Sequence, residues 1–256
     1  MTQIEGSHGF LRRPSFGPPQ HVIVGRFALV AAFNLVFLIV AAGAIWPRGA
    51  AQALPLAVFA LLTGGALLGL WLRYPHERLG LCNVVTHFRS TLVALAAAPL
   101  AVPAAFHAQE RLAWTALSIA VVALALDGFD GWLARRSGLS SDFGARFDVE
   151  VDAALALILA LLVWQADKVG PWIMVLGLAR YAFVAGVGLV TWLRAPLPPR
   201  LRRKVICVVQ LGALIALLAP PVQPPFAQLL ASVAALLLVW SFSMDIAWLW
   251  RRRNPS

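Results

Sequence analysis

Apolar runs of about twenty residues recur from one end of this chain to the other, and few folds can accommodate that. Each run is long enough to cross ~30 Å of hydrocarbon as a helix. Eight can be placed, at roughly 22–46, 52–72, 88–106, 112–133, 149–166, 169–193, 204–220 and 225–249. A membrane β-barrel would instead alternate polar and apolar residues over short segments, and no such alternation is present. With 61% hydrophobic and 12% charged residues among 256 positions, the chain is not an ordinary soluble domain. The expected fold is all-α, a polytopic integral membrane bundle of eight transmembrane helices.

A net charge of +10 suggests nucleic acid as a partner, but the placement of the basic residues excludes it. Arg12, Arg13 and Arg26 precede or open the first run, and Arg73, Arg78 and Arg89 surround the connection from second to third. Arg135, Arg136 and Arg146 lie between the fourth and fifth. Arg194, Arg200, Arg202, Arg203 and Lys204 lie between the sixth and seventh, and Arg251 to Arg253 follow the last. Only Arg48, Arg111 and Lys168 occupy the opposite loops, with Arg180 inside a run. Such asymmetry is that of a membrane protein with its positive loops inside, so both termini are expected in the cytoplasm and the number of spans should be even. Cys82 and Cys207 then fall near the cytoplasmic side, where free thiols are the expectation. The first 21 residues, with Pro14, Pro18 and Pro19, read as a loose cytoplasmic tail and do not resemble a cleavable signal.

Finer detail along the chain is also legible. The first two runs hold few polar groups beyond Arg26 and Asn34 and read as lipid-facing. The segment RYPHERLGLCNVVTHFRSTL suggests a short interfacial helix leading into the third span. Pro99 and Pro103 should kink that span. Trp248, Trp250 and the last arginines form an interfacial anchor, and Asp245 is expected to pair with those arginines or to aid packing.

The chemistry concentrates in DGFDGWLARRSGLSSDFGARFDVEVD, residues 127 to 152, which holds six of the chain's eleven acidic residues. A carboxylate at membrane depth is costly unless it faces a cavity, a partner or an ion. Asp127 and Asp130 are three apart, and Asp148 and Asp152 are four apart, so each pair shares one face of a helix. Two such pairs on neighbouring helices make a cage of oxygen ligands for hard divalent cations. The competing account, ion pairing with Arg135, Arg136 and Arg146, suits any one aspartate better than it suits the set. Asp142 and Glu150 fall outside the pattern and read as loop or rim charges.

Written as D-x2-D-G-x2-A-R-x8-G-x3-D-x3-D, the stretch from Asp127 through Asp130, Gly131, Ala134, Arg135, Gly144 and Asp148 to Asp152 resembles the signature of the CDP-alcohol phosphotransferase (phosphatidyltransferase) family. The resemblance covers roughly residues 80–250. It implies a six-helix catalytic core over 74–250, preceded by a tail (1–21) and two extra transmembrane helices (22–73), and followed by a basic cytoplasmic tail (251–256). It also implies magnesium or manganese, two ions, held by Asp127, Asp130, Asp148 and Asp152, with Asp152 as general base toward the incoming hydroxyl. Gly131 and Ala134 would let a nucleotide lie close to the helix backbone. Arg135 would meet phosphate or a carboxylate, and Gly144 would loosen the turn between the two helices. Three fainter echoes add substrate-binding candidates. Asn83, Thr86 and Arg89 resemble the family's lead-in, against an account as helix capping plus an interfacial arginine. Arg180 resembles a position that binds substrate phosphate, against a buried ion pair. Lys204, with Arg203 and Gln210, resembles a degraded G-K-x-K-T-x2-Q element, against a solvated charge run.

The implied reaction moves a phosphatidyl group from CDP-diacylglycerol to a small polar alcohol and releases CMP at the cytoplasmic face, a step of phospholipid biosynthesis. The alternatives are transfer of a CDP-linked head group to a lipid alcohol, a transporter with a carboxylate ion pathway, and a non-catalytic scaffold. Family members are often homodimers, and the apolar faces of this chain permit one.

Overall fold

The computed structural model of the chain describes residues 20–74, 78–137, 141–195, 198 and 200–252; the side chains of residues 20, 73 and 130–137 are not among what it describes. The tail at 1–19 and the last residues, 253–256, lie outside it. Every regular element among the described residues is helical. In chain order these are α1 (Gln20–Ile45), α2 (Ala50–Arg73), α3 (Leu81–Ala96), α4 (Pro103–Ala108), α5 (Glu110–Ser137), α6 (Asp142–Gln165), α7 (Met174–Leu189), α8 (Leu201–Leu218) and α9 (Phe226–Arg251).

Among the described residues, six segments are long and apolar enough to cross a membrane: His21–Ile45, Ala50–Leu72, Leu81–Ala101, Glu110–Phe129, Pro171–Leu189 and Phe226–Arg251. The chain is an integral membrane protein. Length and apolarity give six spans where the sequence reading counts eight. The two that differ, α6 and α8, carry charges in their opening turns: Asp142, Arg146, Asp148, Glu150 and Asp152 in one, Arg202, Arg203 and Lys204 in the other.

α6 is nonetheless central. Its buried face runs from Val151 through Leu155 and Leu159 to Val163, packed against α3, α7 and α8. Small residues let the neighbours approach, as is usual between membrane helices. A Cβ on Gly177 of α7 would stand 3.0 Å from the Leu157 Cα, and one on Gly69 of α2 would stand 3.0 Å from the Phe143 ring.

Two local expectations are corrected. The polar stretch before the third span is not a separate interfacial helix, because α3 already starts at Leu81 and buries Asn83, Thr86, His87 and Arg89. These groups face partners on other helices instead of headgroups. Pro99 and Pro103 end the helix rather than kink it. α3 stops at Ala96, a 3-10 turn covers Ala98–Ala101, and Pro103 opens α4 at a position where its missing N–H costs nothing. The Pro99 carbonyl accepts from the Val102 N–H at 3.1 Å within that turn and also from Gln165 Nε2 at 2.9 Å.

α1 and α2 pack on α3 through a polar joint in an otherwise apolar interface. His87 is fully buried. Its Nδ1 accepts from Asn34 Nδ2 at 2.7 Å, so its proton sits on Nε2, 3.1 Å from Thr63 Oγ1. Phe27 and Phe59 meet the ring edge-on at 4.9 and 5.5 Å. The outer faces of both helices remain apolar and exposed, with Leu29, Phe33, Leu61 and Leu68 projecting outward, as a lipid-facing pair requires.

Candidate active site

The site assembles where the last turns of α5 meet the first turns of α6. Ser141 caps α6 by accepting from the Gly144 N–H at 3.0 Å. Gly144 is therefore inside the helix and not in the turn before it. Its small size serves close approach instead of turn flexibility: a Cβ there would stand 2.8 Å from Asn83 Oδ1 of α3. Asn83 is itself fixed, its Nδ2 donating to the Tyr74 hydroxyl at 3.3 Å. That hydroxyl also accepts from the Gly80 N–H and donates to the Arg78 carbonyl, and burial of the ring raises its pKa above the usual 10.

With α6 seated in this way, Asp148 and Asp152 face Asp127 across the α5–α6 junction. One oxygen from each of the three carboxylates lies within 4.8 Å of the others. Three convergent carboxylates suit a hard divalent cation, and a cation here would be held by Asp127, Asp148 and Asp152. Asp130 lies on α5 one turn beyond Asp127, with its side chain outside the described residues, as are those of Gly131, Ala134 and Arg135.

A buried guanidinium bridges the three carboxylates. Arg89 of α3, 1% exposed, bonds to Asp152 Oδ1 at 2.6 Å, to Asp127 Oδ1 at 2.8 Å and to Asp148 Oδ1, while its Nε donates to the Ala123 carbonyl at 3.2 Å. Arg89, taken as an interfacial arginine in its competing account, is thus a buried ion-pair partner of the aspartates. Thr86, one turn earlier, donates its hydroxyl to the Cys82 carbonyl.

A cavity of about 220 Å³ opens beside Asp152, between α6, α7, α8 and α9. Arg180, Arg203, Gln210 and Asp245 line it together with aliphatic and aromatic side chains. Lys204 is exposed and is not part of that lining; its neighbour Arg203 is. Two acidic residues differ from their sequence reading. Glu150, taken as a rim charge, bonds Arg180 at 2.6 Å, and Asp245 bonds Arg202 at 2.6 Å instead of the terminal arginines. Neither pairing has a signal in the sequence, because each joins helices 30 or more residues apart. Cys82 and Cys207 are free thiols, as composition suggested.

Residues 79–243 match the CDP-alcohol phosphatidyltransferase family. The chain belongs to that family. The match spans α3 through most of α9 and takes in the three converging aspartates, while α1 and α2 lie outside it. A CDP-diacylglycerol–glycerol-3-phosphate 3-phosphatidyltransferase of Cereibacter sphaeroides is 34% identical over 101 residues, 38% of this chain. The chain spans about half of that relative's length, 46%. No solved structure matches.

Proposed function

We propose that the protein is a metal-dependent phosphatidyltransferase of phospholipid synthesis, moving a phosphatidyl group from CDP-diacylglycerol to a small polar alcohol. The observation that carries this reading is the convergence of Asp127, Asp148 and Asp152 beside a cavity, within a chain of this family. The curated relative's printed name, with the same donor, supports it.

In this reading the cavity holds the acceptor with its hydroxyl toward Asp152. The carboxylate takes the hydroxyl proton as the oxygen forms its bond to the lipid-bearing phosphorus. The bond from that phosphorus to the bridging oxygen breaks, and CMP leaves with the electron pair. A magnesium or manganese ion held by Asp127, Asp148 and Asp152, with Asp130 toward a second, would neutralise the phosphate oxygens and the charge on the leaving group. Arg89 keeps the carboxylates converged and prevents them from repelling one another apart. Asn83 and Gly144 hold α3 against α6 so that Arg89 reaches all three. The basic residues flanking this end of the bundle support a cytoplasmic site with both termini on that side.

The test is CMP release from CDP-diacylglycerol by purified protein, with and without magnesium or manganese, against a panel of polar alcohols. Metal-dependent release with one acceptor is expected. Release only when a CDP-linked head group and diacylglycerol are supplied would replace this reading with transfer in the opposite arrangement.

A further inference from the structure

We infer that the acceptor is an alcohol without net charge, and that Glu150 sets this preference by neutralising Arg180. The inference rests on the phosphatidyltransferase reading and deepens it by naming the charge class of the substrate.

Among the described residues, the charged groups lining the cavity beside Asp152 balance. Arg180 and Arg203 contribute two positive charges, and Asp152 and Asp245 two negative ones. The groups behind them balance too. Arg180 Nη2 donates to Glu150 Oε1 at 2.6 Å, and Arg202 Nη2 donates to Asp245 Oδ1 at 2.6 Å, with the other Asp245 oxygen 3.9 Å from Arg203 Nε. Arg203 also donates to the Pro198 carbonyl. Each arginine that faces the cavity therefore already has an acceptor within the protein.

A phosphomonoester would bring two further negative charges into this setting. To bind, it would have to draw Arg180 away from Glu150 or sit within Coulomb range of both Glu150 and Asp245. Arg180 and Glu150 are 34% and 45% exposed, so solvent reduces this repulsion without removing it. A neutral or zwitterionic alcohol meets no such penalty. Arg180 Nε is buried with no hydrogen-bond partner among the described residues, which leaves an N–H for an uncharged substrate oxygen. The amide of Gln210 is already committed to the Leu176 carbonyl. Glu150 lies between Asp148 and Asp152 at a position the motif does not fix, so the device belongs to this chain and not to the signature. The curated relative, by its printed name, acts on a phosphorylated alcohol; the charge balance here points the other way.

The experiment uses the full-length purified protein with CDP-diacylglycerol and magnesium or manganese. Acceptors are supplied as matched pairs that differ only by a phosphate: glycerol with glycerol 3-phosphate, and inositol with inositol 1-phosphate; serine is added as a zwitterion. The wild type should favour the unphosphorylated member of the productive pair, or serine, by at least ~10-fold in kcat/KM. Glu150→Gln should shift the ratio toward the phosphorylated member by ~10-fold or more, each tenfold corresponding to about 1.4 kcal/mol, while Glu150→Asp, which keeps the charge, should retain the wild-type preference. A wild type that prefers the phosphorylated member overturns the inference and leaves the phosphatidyltransferase reading standing. An unchanged ratio in Glu150→Gln overturns the role given to Glu150. Absence of CMP release with every acceptor overturns the underlying reading, and the inference with it.

Discussion

At the scale of single residues, Arg89 answers a problem the motif creates. Three carboxylates converging to within 4.8 Å repel one another strongly where water is scarce. A guanidinium that is 1% exposed and bonded to all three removes that repulsion. Replacing it by Met removes the partner that all three share, a loss of about 3–5 kcal/mol for a buried pair broken on one side. Arg89→Met should therefore lower the apparent Tm by ~10 °C in chelator. If the aspartates are metal ligands, magnesium should raise the Tm of the variant more than that of the wild type, because the cation supplies the missing positive charge. Equal shifts in both proteins would falsify that assignment. Asp152→Asn separates chemistry from architecture at the same point. Losing the base should reduce CMP release by roughly 10²- to 10⁴-fold. The variant should remain folded, since an amide still accepts a hydrogen bond from Arg89 and one repelling charge has gone; a large Tm drop would mean that Asp152 is chiefly structural. The shared face of Asp148 and Asp152 was legible because i, i+4 spacing fixes it, and Asp127 meets them as the sequence pattern suggested. Arg89's destination was not, because spacing says which face a residue lies on and never which neighbouring helix that face meets. Glu150 was hidden for the same reason.

At the scale of elements, the site depends on how closely α3 and α6 approach. Gly144 lies against Asn83, and any side chain there must displace a buried amide already bonded to Tyr74. Gly144→Ala should destabilise by about 1–3 kcal/mol, the usual range for overpacking, and should reduce transfer by moving α6 relative to Arg89. Asn83→Ala added to Gly144→Ala should recover part of both losses, by making room for the methyl group. Loss of activity with no change in Tm would show that Gly144 serves substrate directly. The pair α1 and α2 makes a different kind of contact. Sequence reading takes them as lipid-facing, which their outer surfaces bear out, but hydropathy cannot reveal that Asn34 and Thr63 converge on His87 of α3. Removing the donor with Asn34→Leu strands the imidazole Nδ1 in a dry interface. That should lower stability by ~1 kcal/mol, or roughly 2–4 °C in Tm. Asn34→Gln, which retains an amide, should fall between the two. The proline pair shows a further limit of sequence reading. A kink and a stop look alike until the following residues are seen to form a separate turn, closed by the Val102 N–H on the Pro99 carbonyl and braced there by Gln165.

At the scale of the whole molecule, the open issue between six and eight crossings concerns α6 and α8, and contacts at the far end of the bundle bear on it. His107, just before α5, lies 3.9 Å from Asp167, just after α6. Lys168 donates to the Leu217 and Ala219 carbonyls at the end of α8, at 2.9 and 2.6 Å, and its burial there lowers its pKa. The start of α5 and the ends of α6 and α8 therefore share one end of the bundle. The aspartate cluster, Arg202 and Asp245 lie toward the other end, where α5 and α9 finish and α6 and α8 begin. α6 thus runs antiparallel to α5, itself a candidate span, and at ~1.5 Å per residue its 24 residues cover about 36 Å. The charges that keep α6 and α8 from reading as spans lie in the half of each helix that carries the site, reaching Asp152 about 15 Å along α6, where Arg89 faces it. Eight crossings are the expected result, with positive loops and aspartates on the cytoplasmic side. Single cysteines replacing the exposed residues Asp142 and Asp167, which flank α6 alone, in a background with Cys82 and Cys207 changed to Ser, would report this directly for α6. An impermeant thiol reagent applied from outside should label position 167 and leave position 142 untouched until the membrane is opened. Labelling of both positions from one side would mean that α6 folds back within the membrane, and the site would then need another route to soluble CMP.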